Sequence, residues 1–321
     1  MPAITSGDKL REYKPHGSKE YAVILYHGIH GPDVDLAGRN SSGKHISVSE
    51  FRKHMEIVAN EWNLVTMSDI RLAHQGEIEL PERAVAITVD DGFSNVYHQA
   101  WPILKDLRLK ATFYLATGFI GTGRMSWTDQ LESMLLDSSL KNLNVKASGQ
   151  NKEFDLSNVD SKVATLQDIK SVYKRLPFKD VEQLLEDVKN QLDCGPDSTH
   201  QLYEMLNWDQ VREMNEEGTF DFGAHTVDHI PVSRIPYEEM KYQVSASLEK
   251  VSDELDSEIR VFSYPEGQSD DYDQPSIDYL KSIGVDMCPT AIEGVNNYKK
   301  TDPFHISRCM IGFEGRSFVL D

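Results

Sequence analysis

The segment 84–92, AVAITVDDG, contains the pattern that decides the fold. Residues Ala84–Val89 are apolar except for one threonine, without polar alternation, which is typical of a strand buried on both faces of a parallel sheet. Asp90 and Asp91 follow this strand directly, and Gly92 permits a sharp turn. Asp-Asp-Gly alone is more often a turn or a helix cap. At the carboxyl end of an α/β strand, where ligand-binding and catalytic residues collect, it indicates a functional site.

Similar apolar strands recur on both sides of this segment, with helix-type segments between them. Strands are predicted at Tyr21–Tyr26, Lys110–Ala116, Phe220–Ala224, Arg260–Tyr264 and, more weakly, Val285–Cys288. Helices are predicted at Glu50–Trp62 (with Ser49 as the N-cap), Asn95–Leu107, Tyr237–Leu255 and Gln274–Ile283. This alternation predicts an α/β fold, as a barrel or an open doubly wound sheet.

The alternation of strand and helix stops between about residues 131 and 206. Asn142–Val159 is polar and contains Gly and Asn, which indicates a hairpin, and Ser161–Leu192 predicts two amphipathic helices hinged at Pro177. We interpret 131–206 as an insertion on a loop of the sheet and 1–321 as a single domain. Because the insertion leaves and rejoins the sheet after a strand end, we expect its helices to pack beside the site or against a second copy of the chain.

Composition and charge narrow the range of partners. A formal net charge of −19 argues against nucleic acid, which needs clustered Lys and Arg. The sequence contains no run of about 18 apolar residues that would predict a membrane span, and its start does not resemble a secretory signal. Its three cysteines, Cys194, Cys288 and Cys309, form no CxxC pattern and read as reduced thiols. We therefore expect a cytoplasmic protein, with the oligomeric state open and a homodimer as one arrangement.

A second strand end carries residues suited to binding a metal. The sequence Gly223–His229, GAHTVDH, follows the predicted strand and places His225 and His229 four residues apart. If this segment is helical, the two rings lie on one face and can share an ion. It is not a zincin helix, because Thr226 stands where HExxH requires Glu. A lone histidine pair is often structural, but two histidines and an aspartate from two strand ends indicate a catalytic metal with positions open to water.

A third strand end is less specific. In Arg260–Gly267, RVFSYPEG, Pro265 and Gly267 fix an unusual turn that could aim backbone N–H groups at a developing oxyanion. By itself, this sequence indicates only a turn.

Together, TVDDG, HTVDH and RVFSYPEG occur in an order that resembles the first three motifs of the polysaccharide deacetylases, the family-4 carbohydrate esterases with a NodB homology domain. The resemblance extends from about Tyr21 to Arg308, apart from the insertion. It implies a distorted (β/α)7 barrel that hydrolyses the amide bond of an N-acylated sugar.

The same resemblance implies residue roles. One divalent metal ion, usually zinc, would be bound by Asp91, His225 and His229. Asp90 would be the general base that takes a proton from the attacking water, and Arg260 would hold Asp90 by charge-assisted hydrogen bonds. A backbone amide near Tyr264 would help to stabilise the oxyanion.

The sequence departs from the family pattern in its general acid. The late Leu-x-His motif that supplies this acid is absent, and Phe304-His305-Ile306 only approaches it. Leu25-Tyr26-His27 has the required spacing at the end of the first predicted strand and resembles a Tyr-His motif of some relatives. We therefore favour His27 over His305 as the acid. The other histidines, including His45, have no partner pattern and are interpreted as surface or packing residues.

These observations favour a metal-dependent hydrolase that removes an acetyl or formyl group from an amino sugar or sugar-linked precursor in surface-polysaccharide biosynthesis. One alternative is an amidase acting on small non-sugar amides or ureides. Another is a non-catalytic carbohydrate-binding relative, but such a protein would not need a base and metal ligands together.

Overall fold

The computed structural model describes residues 19–147, 150–218 and 220–313. The strands are β1 Glu20–Tyr26, β2 Gly28–His30, β3 His45–Ser47, β4 Asn63–Leu64, β5 Ala84–Val89, β6 Ala111–Leu115, β7 Asn142–Ala147, β8 Gln150–Asp155, β9 Phe220–Ala224, β10 Asn296–Asn297 and β11 Cys309–Met310. The α-helices are α1 Val48–Glu61, α2 Met67–Gln75, α3 Trp101–Asp106, α4 Trp127–Asp137, α5 Val159–Tyr173, α6 Phe178–Gln191, α7 Trp208–Glu216, α8 Tyr237–Leu255 and α9 Gln274–Ser282.

The parallel strands form a ring of seven chain segments. β1 pairs with β5, β5 with β6, and β6 with β9, all in parallel. Parallel bridges continue the ring through the pairs Ala224–Phe262, Val261–Met287 and Pro289–Ile306. The last segment ends in β11, which pairs in parallel with β1. The predicted α/β fold is confirmed, and the closed series of pairings is that of a distorted (β/α)7 barrel.

The ring is buried on both sides, as its apolar strands predict. Alternate side chains of β1, such as Tyr21 and Val23, belong to a hydrophobic cluster inside the ring. Their neighbours, such as Ala22 and Ile24, belong to the larger cluster that lies between the strands and the surrounding helices. Because both faces are covered, the strands form a rigid scaffold for the loops at their carboxyl ends.

The insertion has its own hydrophobic cluster. The predicted hairpin is the antiparallel pair β7–β8, and the predicted helices are α5 and α6, with Pro177 as the N-cap of α6. These elements pack with α4 around a cluster that runs from Trp127 to Leu192. Helix α4 thus shares its hydrophobic cluster with the elements of the insertion, whose bounds stay a prediction.

Two local predictions are corrected. The N-cap of α1 is Ser47, whose side chain accepts a hydrogen bond from the Glu50 N–H at 3.2 Å, and not Ser49. The segment predicted as one helix from Asn95 begins with a π-helical turn, Val96–Ala100, that leads into α3. Across the described ranges, no helix combines the length and the apolar character that a bilayer crossing requires.

Candidate metal and catalytic site

The two-residue side-chain period of the strands determines which residues reach the mouth of the ring. On β5, Ala84 and Ala86 point inward, whereas Val85 and Ile87 pack toward the helices. Asp90 continues the inward series one step past the strand, so its carboxylate enters the mouth. The mouth of the ring forms a cleft at the carboxyl ends of the strands. The same two-residue period brings three other inward side chains into this cleft: His27, His225 and Arg308.

The three predicted metal ligands converge in this cleft. Ligand atoms of Asp91, His225 and His229 all lie within 4.8 Å of one another. Oδ1 of Asp91 lies 3.1 Å from Nε2 of His229 and 3.6 Å from Nε2 of His225. The histidine loop is not helical, so the helical arrangement considered for this pair is wrong. Left-handed backbone at Thr226 (φ 61°) and His229 (φ 53°) turns the loop and brings both rings to Asp91.

The chemistry of these donors fits a divalent ion. Nδ1 of His225 lies 2.8 Å from the Ser263 carbonyl, which only accepts, so Nδ1 carries the proton and Nε2 is free as a ligand. Burial lowers the pKa of His225 to about 4, which keeps the imidazole neutral near pH 7. Oδ1 of Asp91 is buried and receives no well-directed hydrogen bond from the described residues. Two imidazole nitrogens and one carboxylate oxygen form a ligand set typical of catalytic zinc.

Asp90 is held by an arginine that the sequence analysis missed. Arg308 donates from Nη1 to Oδ1 of Asp90 at 2.9 Å and from Nη2 to Oδ2 at 2.7 Å. Its side chain is buried inside the ring and also donates to the Thr290 carbonyl at 2.6 Å and to Ser263 Oγ at 2.9 Å. Burial acts to raise the pKa of the Asp90 carboxyl, but the guanidinium of Arg308 brings it below its usual value. Asp90 is therefore an ionised carboxylate with a fixed orientation, as a general base requires.

Arg260 does not perform the predicted role. Its exposed guanidinium pairs with Glu258 at 2.9 Å and with Asp286 at 3.6 Å. The reason is geometric, because Arg260 stands at the amino end of its segment, whereas Asp90 follows the carboxyl end of a parallel strand. One signal for Arg308 was present in the sequence: it is the single charge within the otherwise uncharged stretch Ile306–Ile311.

Tyr264 lines the cleft, but its own amide is not free for an oxyanion. The Tyr264 N–H donates to the Pro289 carbonyl at 3.4 Å as part of the ring pairing. Its buried hydroxyl donates to the Phe304 carbonyl at 3.4 Å. Tyr264 therefore forms part of the cleft wall, and its own amide is not the oxyanion donor.

The two candidate acids lie in different places. His27 lines the cleft, packs edge-on against Phe313 and has a buried Nδ1 without a hydrogen-bond partner among the described residues. Burial lowers its pKa, and the carboxylates of Asp91 and Asp90 oppose that shift. His305 is exposed, outside the cleft, with its Nδ1 3.7 Å from Asp302. The structure thus brings His27, and not His305, to the predicted ligands.

Two further residues of the cleft were not predicted. His45 is buried beside Phe93, and its Nδ1 lies 3.0 Å from the Asn95 side-chain nitrogen. Its neighbour Lys44 is also in the cleft and pairs with Asp129 of α4. The interpretation of His45 as a surface or packing residue is right in part, because the buried ring packs against Phe93. His45 also lines the cleft, which was not predicted.

The insertion supplies another wall of the cleft. The cleft is lined on this side by Asp129 and Glu132 of α4, by Lys170 in the last turn of α5 and by Arg175, which follows α5. The cleft has a volume of about 360 Å³, within the range of about 300–1,000 Å³ usual for small-molecule sites. The expectation that the insertion packs beside the site is confirmed.

Comparison with known proteins assigns a family. The family model described as polysaccharide deacetylase matches residues 77–288, more than half of the chain. The chain therefore belongs to the polysaccharide deacetylase family. YxkH of Bacillus subtilis (strain 168), assigned by name to the polysaccharide deacetylases, is 29% identical over 115 residues, which are 35% of this chain and 37% of that protein. The poly-beta-1,6-N-acetyl-D-glucosamine N-deacetylase of Escherichia coli (strain K12) is 35% identical over 109 residues, 34% of this chain and 15% of that protein.

Among solved structures, the Streptococcus pyogenes deacetylase PplD in complex with acetate matches with a TM-score of 0.59. The match covers 92% of this chain and 94% of that chain at 14% sequence identity. At this identity the likeness shows a common fold and does not transfer a substrate.

Proposed function

We propose that this protein is a metal-dependent hydrolase that removes an N-acyl group, acetyl or formyl, from an amino sugar or sugar-linked precursor. The observation that carries this proposal is the convergence of Asp91, His225 and His229 beside a carboxylate, Asp90, that is held ionised by Arg308. A binding module needs neither a fixed base nor ligands with open positions. A fixed base beside metal ligands with open positions is the arrangement that hydrolysis of an amide requires.

Each protein group has a distinct role in this proposal. A divalent ion, zinc by its ligand set, would polarise the acyl carbonyl and acidify water when bound by Asp91, His225 and His229. Asp90 accepts the proton of the attacking water, and Arg308 keeps its carboxylate ionised and oriented. The leaving amine is too basic to depart as an anion, so it must be protonated, and His27 is the histidine in the cleft that we assign to this step.

The substrate class rests on family membership and on the relatives. One of them is named for deacetylation of poly-beta-1,6-N-acetyl-D-glucosamine, and we propose a related N-acylated sugar in surface-polysaccharide biosynthesis. The cytoplasmic location remains a prediction from the sequence.

The test is a screen of purified, zinc-loaded protein against N-acetyl and N-formyl sugars, their oligomers and small non-sugar amides, with released acetate or formate as the readout. We expect release from a sugar substrate and its loss after chelation. Activity only on non-sugar amides or ureides would assign the protein to the alternative amidase class. Binding of sugars without any release by the metal-loaded protein would assign it to the non-catalytic class.

A further inference from the structure

On the side of the cleft formed by the insertion, two positively charged side chains have no carboxylate partner among the described residues. Six Lys or Arg side chains line the cleft. Four of them pair with a carboxylate: Lys44 with Asp129, Lys174 with Glu266, Arg234 with Asp271 and Arg308 with Asp90. The other two, Lys170 and Arg175, make no ion pair with any residue in the described ranges, although the chain has 52 acidic and 33 basic residues.

Lys170 is unusual because it is largely covered and still unpaired. It lies in the last turn of α5, between the buried Ile169 and Tyr173. Burial and the ammonium groups of Lys174 and Lys44 lower its pKa, and the carboxylates of Glu132 and Glu266 only partly oppose this shift. An unpaired ammonium in such a place costs free energy unless something else binds it.

The sequence of α5 does not explain this arrangement by local stabilisation. Lys170 and Lys174 are four residues apart, and like charges at this spacing repel each other on a helix. The helix dipole favours a cation near the carboxyl end, but it does not require one that faces a cleft. On a solvent-facing helix surface, a carboxylate one turn from Lys170 would pair with its ammonium group. The residue one turn before Lys170 is instead the buried Leu166.

We propose that Lys170 and Arg175 form a subsite for an oxyanion of the substrate, a phosphate or a carboxylate carried by the acylated sugar or by the sugar next to it. Lys174 connects this subsite to the metal ligands. It pairs at 2.6 Å with Glu266, and the Glu266 carboxylate is close enough to raise the pKa of His229. An acidic sugar would therefore place its amide at the ligands and its anion at the insertion. This inference rests on the proposed function, since it assumes that the cleft is the site of amide hydrolysis.

The test compares zinc-loaded wild type with Lys170→Gln, using three probes: N-acetylglucosamine 1-phosphate, an N-acetylglucosamine–glucuronic acid disaccharide and neutral diacetylchitobiose. Affinity is measured by calorimetry and turnover by acetate release. We expect wild type to bind at least one acidic probe about tenfold or more tightly than the neutral one. Lys170→Gln should weaken that probe by about tenfold to a hundredfold and leave the neutral one unchanged, because a charged hydrogen bond is lost. The preferred acidic probe distinguishes phosphate from carboxylate.

Two further variants serve as controls. Lys170→Arg keeps the charge and should keep the preference. Lys189→Gln removes one charge from an exposed lysine of the same insertion, paired only within α6, and should change nothing. Equal wild-type affinity for acidic and neutral probes, or a preference that survives in Lys170→Gln, would overturn the subsite. Lys170-dependent binding without release of acetate or formate from any N-acetyl or N-formyl sugar would support the subsite while refuting the deacylase proposal.

Discussion

Replacing Arg308 by methionine is the perturbation that tests the catalytic architecture most directly. Methionine fills much of the same space, but it leaves the Asp90 carboxylate buried without its two guanidinium hydrogen bonds. The matched control is Arg260→Met. Arg260 was the arginine expected at Asp90 from the sequence, and the structure places it on the surface beside Glu258.

The magnitude follows from the burial of the pair. Arg308 and Asp90 side chains are 1% and 2% exposed, and removing one partner of a buried ion pair typically costs about 3–5 kcal/mol. With an unfolding entropy of about 2.1 cal/mol/K per residue, this cost corresponds to a decrease of about 4–7 °C in Tm. Without Arg308, burial favours the protonated form of Asp90, so turnover should fall by about 10²–10⁴ through loss of the base.

The assay is thermal unfolding at a fixed zinc concentration, followed by acetate release from the best sugar substrate. The double variant Arg308→Met with Asp90→Asn should be more stable than Arg308→Met alone, because the uncompensated charge has been removed. Arg260→Met should match wild type in both measurements. If Arg308→Met unfolds at the wild-type temperature, or if it retains full turnover, the role assigned to Arg308 is refuted.

The remaining predictions concern the metal, the base and the acid. His225→Ala and His229→Ala should each lose zinc by elemental analysis, and full zinc content in either would contradict the ligand assignment. Asp90→Asn should keep zinc but lose about 10²–10⁴ of turnover, since an amide cannot accept the proton; loss of zinc instead would make Asp90 a ligand. His27→Ala should keep zinc and lose about a hundredfold in turnover, whereas the exposed His305→Ala should behave as wild type. The reverse result would transfer the acid role to His305.

The ring and much of the site could be predicted because both depend on local periodicity. The largely apolar runs of β1 and β5, which lack polar alternation, indicate strands covered on both faces, and the structure has them at nearly the predicted bounds. The two-residue period then places Asp90 and His27 in one mouth, since each continues the inward series of its strand by one step. This information is contained in short stretches of sequence.

The partner of Asp90 could not be predicted in the same way. Arg308 lies 218 residues further along the chain and meets Asp90 only because the ring closes between β11 and β1. The family resemblance favoured Arg260, although this residue begins its predicted strand and so lies at the end opposite to the site. His45 was missed for the same reason, because its contacts with Phe93 and Asn95 join distant parts of the chain.

The histidine loop shows why a helix was unnecessary for the ligand pair. Thr226 is β-branched and lies at φ 61°, a conformation that costs about 1–3 kcal/mol unless surrounding contacts impose it. Those contacts are present: Thr226 Oγ1 accepts from the Ile230 N–H at 3.2 Å, and the Thr226 carbonyl accepts from the Thr117 N–H at 3.1 Å. The Gln243 side chain accepts from the next two amides of the loop, at 3.0 and 2.9 Å. The loop is thus fixed from three sides, so that the rings of His225 and His229 are positioned for a metal by tertiary contacts that replace helical spacing.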